Sequence, residues 1–154
     1  MIPGRTNRLV VKAEKAGRFR GVCAEFCGLS HALMAFDVIA MDGAAFDDWL
    51  TRSRGASDGA RKGVQTGAAL FDAQGCGACH AIRGTVHHAA IGPDLSRFGE
   101  RRTLGAGILP PTVDSIAAFI RAPQIAKPGV RMPAYPQISP ADARAIALYL
   151  KGLT

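Results

Sequence analysis

The chain has 154 residues, 48% of them from the set AVILMFWYC and 20% charged, a globular composition that excludes a disordered polar chain. No run approaches the roughly 18 to 20 apolar residues of a membrane-spanning helix, since the best stretch, Ala32 to Met41, is short and broken by Asp37. No secretory signal pattern opens the chain. The net charge of +7 is spread without any block of five like charges, and only Arg61-Lys62 and Arg101-Arg102 are adjacent basic pairs. That excludes the dense basic face of a nucleic-acid binder and leaves a solvated basic surface able to steer an acidic partner.

Taken in chain order, the first third reads as β structure. Leu9-Val10-Val11 is a short β-branched run and Lys15-Ala16-Gly17-Arg18 a turn. Phe19 to Val22 enters a first cysteine pair, Cys23 and Cys27, and Phe36 to Ala40 leaves it with rough alternation. Asp42-Gly43 is a turn signal, and Phe46 to Leu50 a short helix carrying the only tryptophan, Trp49. Small and polar residues from Arg52 to Lys62 read as a linker.

Beyond the linker the period becomes helical. Val64, Ala68 and Phe71 share one face before Gly75, then Ile116, Phe119 and Ile120 before Pro123, and Ile146, Tyr149, Leu150 and Leu153 near the end. Ser139 as N-cap, Pro140 in the first turn and Asp142 at the positive end of the dipole mark the start of the last helix. A Gly/Pro-rich loop region from His80 to Pro111 separates these helices, and no internal repeat is visible. The layout is β + α in two segments: residues 1–51, a linker over 52–62, and an all-α module over 63–154.

The second cysteine pair carries the plainest chemistry. Cys76-Gly77-Ala78-Cys79-His80 is a C-x-x-C-H string, in which two thiols form thioethers to the haem vinyl groups and the next histidine reaches the iron. A redox dithiol would follow a strand, whereas this motif follows a helix. Half of a zinc site would need another Cys/His pair in the module, where only His87-His88 remain. The string therefore predicts covalent haem c. For the sixth ligand, Met132 is the only methionine after the linker and stands in a proline-bounded loop, Lys127-Pro128-Gly129-Val130-Arg131-Met132-Pro133; His87 and His88 are its rivals. A carbonyl of Gly92-Pro93-Asp94-Leu95 is a possible acceptor for the His80 ring N–H, and an ordinary turn is the other reading.

The first pair offers two thiols, an imidazole and a thioether close together: Cys23, Cys27, His31 and Met34. Soft sulfur with imidazole and a weak axial methionine is a copper ligand set. Four extended residues span about 13 Å, so the two thiols share a centre only if the loop curls. Gly28 eases that curl. The spacings also suit one stripe of a helix, a sulfur-rich core face, or a Cys23–Cys27 disulfide. Gly21, Gly28 and the β-branched flanks argue against the helix.

Ile2-Pro3-Gly4-Arg5 through Trp49 resembles the C-terminal part of the copper domain in subunit II of haem–copper cytochrome c oxidases. The later portion resembles the cytochrome c domain fused to that subunit in caa-type bacterial oxidases. There the likeness is carried by Cys76 to His80, Arg83-Gly84-Thr85, Gly92-Pro93-Asp94-Leu95, Pro123-Gln124, and Lys127-Pro128-Gly129 with Met132-Pro133. The resemblance implies a partial cupredoxin-like β-sandwich, C-terminal strands only, followed by a class I cytochrome c domain. It further implies a dinuclear copper centre bridged by Cys23 and Cys27, with His31, axial Met34 and the Glu25 carbonyl as further ligands. Cys76 and Cys79 would hold haem c, with His80 and Met132 axial. The family's centre takes a second histidine from an upstream segment, and on this likeness Met1 is a truncated or miscalled start and membrane attachment lies in the missing N-terminal part.

The function implied is electron transfer in a terminal oxidase of the bacterial cytoplasmic membrane, on its periplasmic or extracellular side. Electrons would enter at haem c from a cytochrome c or a quinol–cytochrome c reductase and leave through copper to catalytic subunit I. No residue here is placed for acid/base or nucleophilic catalysis, so the chain alone only transfers electrons. Two other readings share the motifs: a stand-alone c-type cytochrome with a copper-domain remnant, and a nitrous oxide reductase-like copper protein, whose motif has the same Cys-to-Met spacing. A third, a disulfide-linked secreted domain, would hold no cofactor.

Overall fold

The computed structural model describes residues 6–54 and 65–154. Its first part is a two-stranded antiparallel sheet, β1 (Gly17–Val22) with β2 (Ala35–Ala40), in which Phe19 stands opposite Val38 and Val22 opposite Ala35. Aromatic and β-branched side chains favour this pairing, and Arg18 adds an ion pair to Asp37 at 2.7 Å. Two expectations need correction here. Leu9-Val10-Val11 lies outside any strand and is exposed, because no neighbouring strand among the described residues accepts its backbone groups. The bend falls at Glu14-Lys15, one step before the expected turn, so β1 already begins at Gly17.

Helix α1 runs over Gly43–Arg54, longer at both ends than the expected Phe46 to Leu50. Asp42 explains its start: its carboxylate accepts from the Ala45 N–H at 2.9 Å, and its carbonyl accepts from Phe46 at 3.0 Å. Arg52 and Arg54 suit the negative end of the helix. The last turn thus occupies the first residues of the segment expected as linker; the remainder of that segment, and Val64, lie outside the described residues.

The second part holds α2 (Gln65–Ala73), α3 (Val113–Arg121), the short α4 (Pro123–Ala126) and α5 (Pro140–Lys151), with long loops between. The expected cap of α5 is present, Ser139 Oγ accepting from the Asp142 N–H at 3.1 Å, and Thr112 caps α3 in the same way through Ser115. These helices bury one apolar cluster around Phe71, Ile82, Ile116, Ile146 and Leu153. Helices α2 and α5 cross at Gly67, where a Cβ would stand 2.3 Å from the Ala145 carbonyl oxygen. A side chain at 67 is therefore excluded by backbone.

Nearly all buried apolar side chains of the described residues belong to this second part; Ala35 is the exception. The hairpin leaves Phe26, Phe36 and Val38 exposed, and α1 leaves Trp49 exposed. Ala35 is buried because it meets the second part: its N–H donates to the Ala106 carbonyl at 2.8 Å, and a Cβ on Gly107 would stand 2.9 Å from its own Cβ. Gly107, at φ +91°, therefore satisfies a tight contact and a left-handed backbone at once. Arg83 and Arg97 donate to the carbonyls of Ser53 and Arg52 at the end of α1, at 3.1 and 3.0 Å.

Candidate functional site

The C-x-x-C-H string begins where α2 stops. Gly75, left-handed at φ 70°, breaks the helix, and Cys76–Ala78 forms a single 3-10 turn. The turn is closed by Cys79 N–H to the Cys76 carbonyl at 3.2 Å and by His80 N–H to the same carbonyl at 3.1 Å. Cys76, Cys79 and His80 thereby border one cavity of about 530 Å³ walled by Leu95, Phe98 and Leu104 among others. Burial pushes the Cys76 thiol up to about 11, so it is held neutral.

His80 is oriented from behind. Its Nδ1 lies 2.7 Å from the Pro93 carbonyl oxygen, which leaves Nε2 for the cavity. Gly92 allows this approach, since a Cβ there would stand 2.6 Å from His80 Cε1. The following turn is fastened by Asp94, whose carboxylate accepts from the Ser96 N–H at 2.7 Å, and by Arg101, which donates to the Asp94 carbonyl and lies over the Phe98 ring.

Its hydrogen bonds with Ser96 hold the Asp94 carboxyl below the usual range. A depressed folded-state value stabilises the fold above the ordinary carboxyl pKa and loses that contribution as pH falls through the folded one. Asp94→Asn is therefore expected to lower the denaturation midpoint at neutral pH and to match the parent chain in strong acid. Denaturant titrations at the two pH values check this; an equal deficit at both would show that ionisation of Asp94 contributes nothing.

Met132 borders the same cavity. Its loop leaves α4 through a turn in which Val130 N–H donates to the Lys127 carbonyl at 3.1 Å, and Gln124 Nε2 donates to the Met132 carbonyl at 3.1 Å. The rival histidines lie elsewhere. His87 packs edge-on against Phe71, bonds Asp72 at 2.7 Å and covers Gly77, where a Cβ would meet its ring at 2.0 Å. Among the described residues that border the cavity, neither His87 nor the exposed His88 appears.

The first cysteine pair lies in the loop joining β1 to β2, closed at its base by Cys23 N–H to the Met34 carbonyl at 3.2 Å. Gly28, at φ 126°, turns the chain back, and His31–Leu33 is a 3-10 turn. Cys23 Sγ is 3.4 Å from Cys27 Sγ and 3.1 Å from the Glu25 carbonyl oxygen. Cys27 Sγ is in turn 3.9 Å from His31 Nδ1 and 3.7 Å from Met34 Sδ. One donor atom each from Cys23, Cys27 and His31 falls within 4.8 Å of the others.

Both cysteines are free, and 3.4 Å is far beyond a bonded S–S pair. The loop is also not a continuous helix, so the sulfur-rich stripe does not form. The hydrogen-bonded contact with Cys23 holds the Cys27 thiol above its ordinary range, and a bound cation reverses that preference by stabilising the thiolates. Two soft sulfurs, an imidazole, a thioether and a carbonyl fit copper, and the apolar cavity with paired thiols and a histidine fits haem c.

Comparison with known proteins separates the two parts in the same way. Residues 64–154 match the family Cytochrome c. The chain belongs to the cytochrome c family. Residues 1–41, ahead of that cytochrome c module, match a second family, the periplasmic domain of cytochrome C oxidase subunit II. Cytochrome c oxidase subunit 2 of Alkalihalophilus pseudofirmus is 40% identical over 156 residues, covering 99% of this chain and 44% of its own length. That of Bacillus subtilis is 36% identical, covering 92% and 41%, and that of Bacillus sp. strain PS3 is 34% identical, covering 91% and 41%. The chain thus spans less than half the length of these curated relatives. Among the described residues no helix is long and apolar enough to cross a membrane.

The sequence names each of these donors, and the Gly92-Pro93-Asp94-Leu95 carbonyl behind His80, but not the other braces. Gln124 entered only as part of a family likeness, and Ser30, Ala106 and the His87–Asp72 pair carried no signal. Ser30 donates to the Pro128 carbonyl at 2.6 Å from a position 98 residues away, a distance no periodicity reaches.

Proposed function

We propose that this chain is the electron-transfer portion of subunit 2 of a cytochrome c oxidase with a fused cytochrome c domain. The observation that carries the reading is the gathering of Cys23, Cys27, His31, Met34 and the Glu25 carbonyl in one hairpin loop, on the same chain as a C-x-x-C-H cavity. Residues 1–51 are a piece of the copper domain and 63–154 the cytochrome c domain. The exposed apolar side chains of the β1–β2 hairpin suit two strands of a cupredoxin-like sandwich whose remaining strands lie in the part of the relatives that this chain does not span.

Cys76 and Cys79 would hold haem c through their sulfurs, and His80 and Met132 would be the side chains that bind its iron. Cys23 and Cys27 would hold copper through their thiolates, with His31, Met34 and the Glu25 carbonyl completing what this chain offers. One imidazole is fewer than the two the family's centre takes, so the site is one donor short here. When bound, the two groups supply one-electron redox chemistry at set potentials. The protein's part is to fix ring and thioether orientation, to keep water from the apolar cavity, and to hold the loops together. Oxidase catalytic subunit I is the acceptor partner and a cytochrome c or a quinol–cytochrome c reductase the donor, on the outer side of a bacterial cytoplasmic membrane.

The test is the copper-to-iron ratio of the full chain after haem maturation and purification with copper. About two copper ions per iron is expected if the remaining donors suffice, falling to none in a Cys23→Ser, Cys27→Ser double variant that keeps its haem. Iron without copper would make the chain a c-type cytochrome carrying a copper-domain remnant. Retention of copper by the double variant would place the metal elsewhere.

A further inference from the structure

The loops that present the two donor sets are seated on one another. Between Cys27 and His31 the chain turns through Gly28-Leu29-Ser30, and Leu29 and Ser30 meet Pro128 and Gly129, just ahead of Met132. Ser30 is 7% exposed and its hydroxyl donates to the Pro128 carbonyl at 2.6 Å. A Cβ on Gly129, itself left-handed at φ 76°, would stand 3.3 Å from Leu29 Cβ. Around this contact Cys27, Met34, Lys127 and Arg131 border a cleft of about 230 Å³.

The Met132 loop is fastened at its start by the Lys127 N–H on the Pro123 carbonyl at 2.9 Å. Pro128 has no N–H to donate, and the turn is held by the Val130-to-Lys127 bond and by Gln124 on the Met132 carbonyl. We propose that Ser30 is a positioning residue for Met132: a hydroxyl from the copper-binding loop fixes the 127–131 turn and so holds the thioether over the haem cavity. The two centres then share a mechanical support as well as an electron. The inference rests on Met132 being an axial ligand.

Imidazole added to the ferric, haem-loaded full chain tests this. It binds iron only when the thioether has left, so its apparent affinity scales with the fraction of chains whose loop is open. Removing one buried hydrogen bond favours the open loop, and Ser30→Ala is expected to bind imidazole about tenfold more tightly than the parent chain. Ser30→Cys, which keeps the shape but donates poorly, should follow alanine. Ser30→Thr, which keeps the hydroxyl, should stay within about twofold of the parent.

All of these variants should retain the methionine-to-iron charge-transfer band before imidazole is added. Unchanged affinity in Ser30→Ala and Ser30→Cys overturns the proposal, as does equal tightening in Ser30→Thr. If the parent chain itself lacks the methionine band and Met132→Ala leaves imidazole affinity unaltered, the axial assignment has failed instead, and the two failures are told apart.

Discussion

Gly67→Ala is expected to destabilise the cytochrome c module by about 2 kcal/mol, although alanine is the better helix former by about 1 kcal/mol. The added methyl would lie 2.3 Å from the Ala145 carbonyl oxygen and 2.7 Å from Tyr149 Cβ. Neither can swing aside, because one is backbone and the other is fixed to it, so α2 and α5 must move apart. Their separation disturbs Phe71 and Ile146, both nearly inaccessible in the core. The loss is a large fraction of a margin of roughly 5–15 kcal/mol. Urea unfolding followed by the helical signal measures it. Gly43→Ala, where nothing lies within 4 Å of the added atom, is the control and should be neutral or slightly stabilising. An unchanged midpoint for Gly67→Ala would mean that the helices do not cross there.

Met132→Ala is expected to lower the haem midpoint potential by on the order of 0.2 V, part of the roughly 0.8 V over which axial ligands set haem potentials. The sign follows from the thioether, which favours reduced over oxidised iron; its removal withdraws that preference and lets water reach the vacated side. The same variant should lose its low-spin spectrum while keeping haem covalently attached, because Cys76 and Cys79 are untouched. A redox titration with parallel spectra decides the matter. A potential and spin state equal to those of the parent chain would assign the sixth position to a residue other than Met132.

The parts of the architecture that could be read from the sequence are those whose causes are local. A cap written as Ser139-Pro140 with Asp142 following needs only neighbours, and α5 begins there. C-x-x-C-H needs one turn, and Gly75 together with the 3-10 turn supplies it. The donors of the hairpin loop were legible by residue type, though their convergence on Cys27 depends on Gly28 and on the Cys23-to-Met34 closure.

What escaped is what depends on distant chain. Leu9-Val10-Val11 has strand composition, but a strand needs a partner and the described residues offer none. Helix α1 outran its apolar core because Asp42 and the terminal arginines set its ends. The burial of Ala35 arises from Ala106 and Gly107, far along the sequence. His87 looked like a possible iron ligand until its neighbours Phe71 and Asp72 were seen to hold it over Gly77.

The arginines that reach the end of α1 bear on the order in which the polypeptide matures. The final carbonyls of a helix have no partner within it, and here those of Arg52 and Ser53 are met by Arg97 and Arg83. Both guanidinium groups belong to segments synthesised later. As the chain leaves the ribosome, the hairpin and most of α1 emerge first, and these two carbonyls meet their guanidinium donors only once the segments around Arg83 and Arg97 have followed. The end of the earlier-made part is thus tied to the later one by two side-chain-to-carbonyl hydrogen bonds.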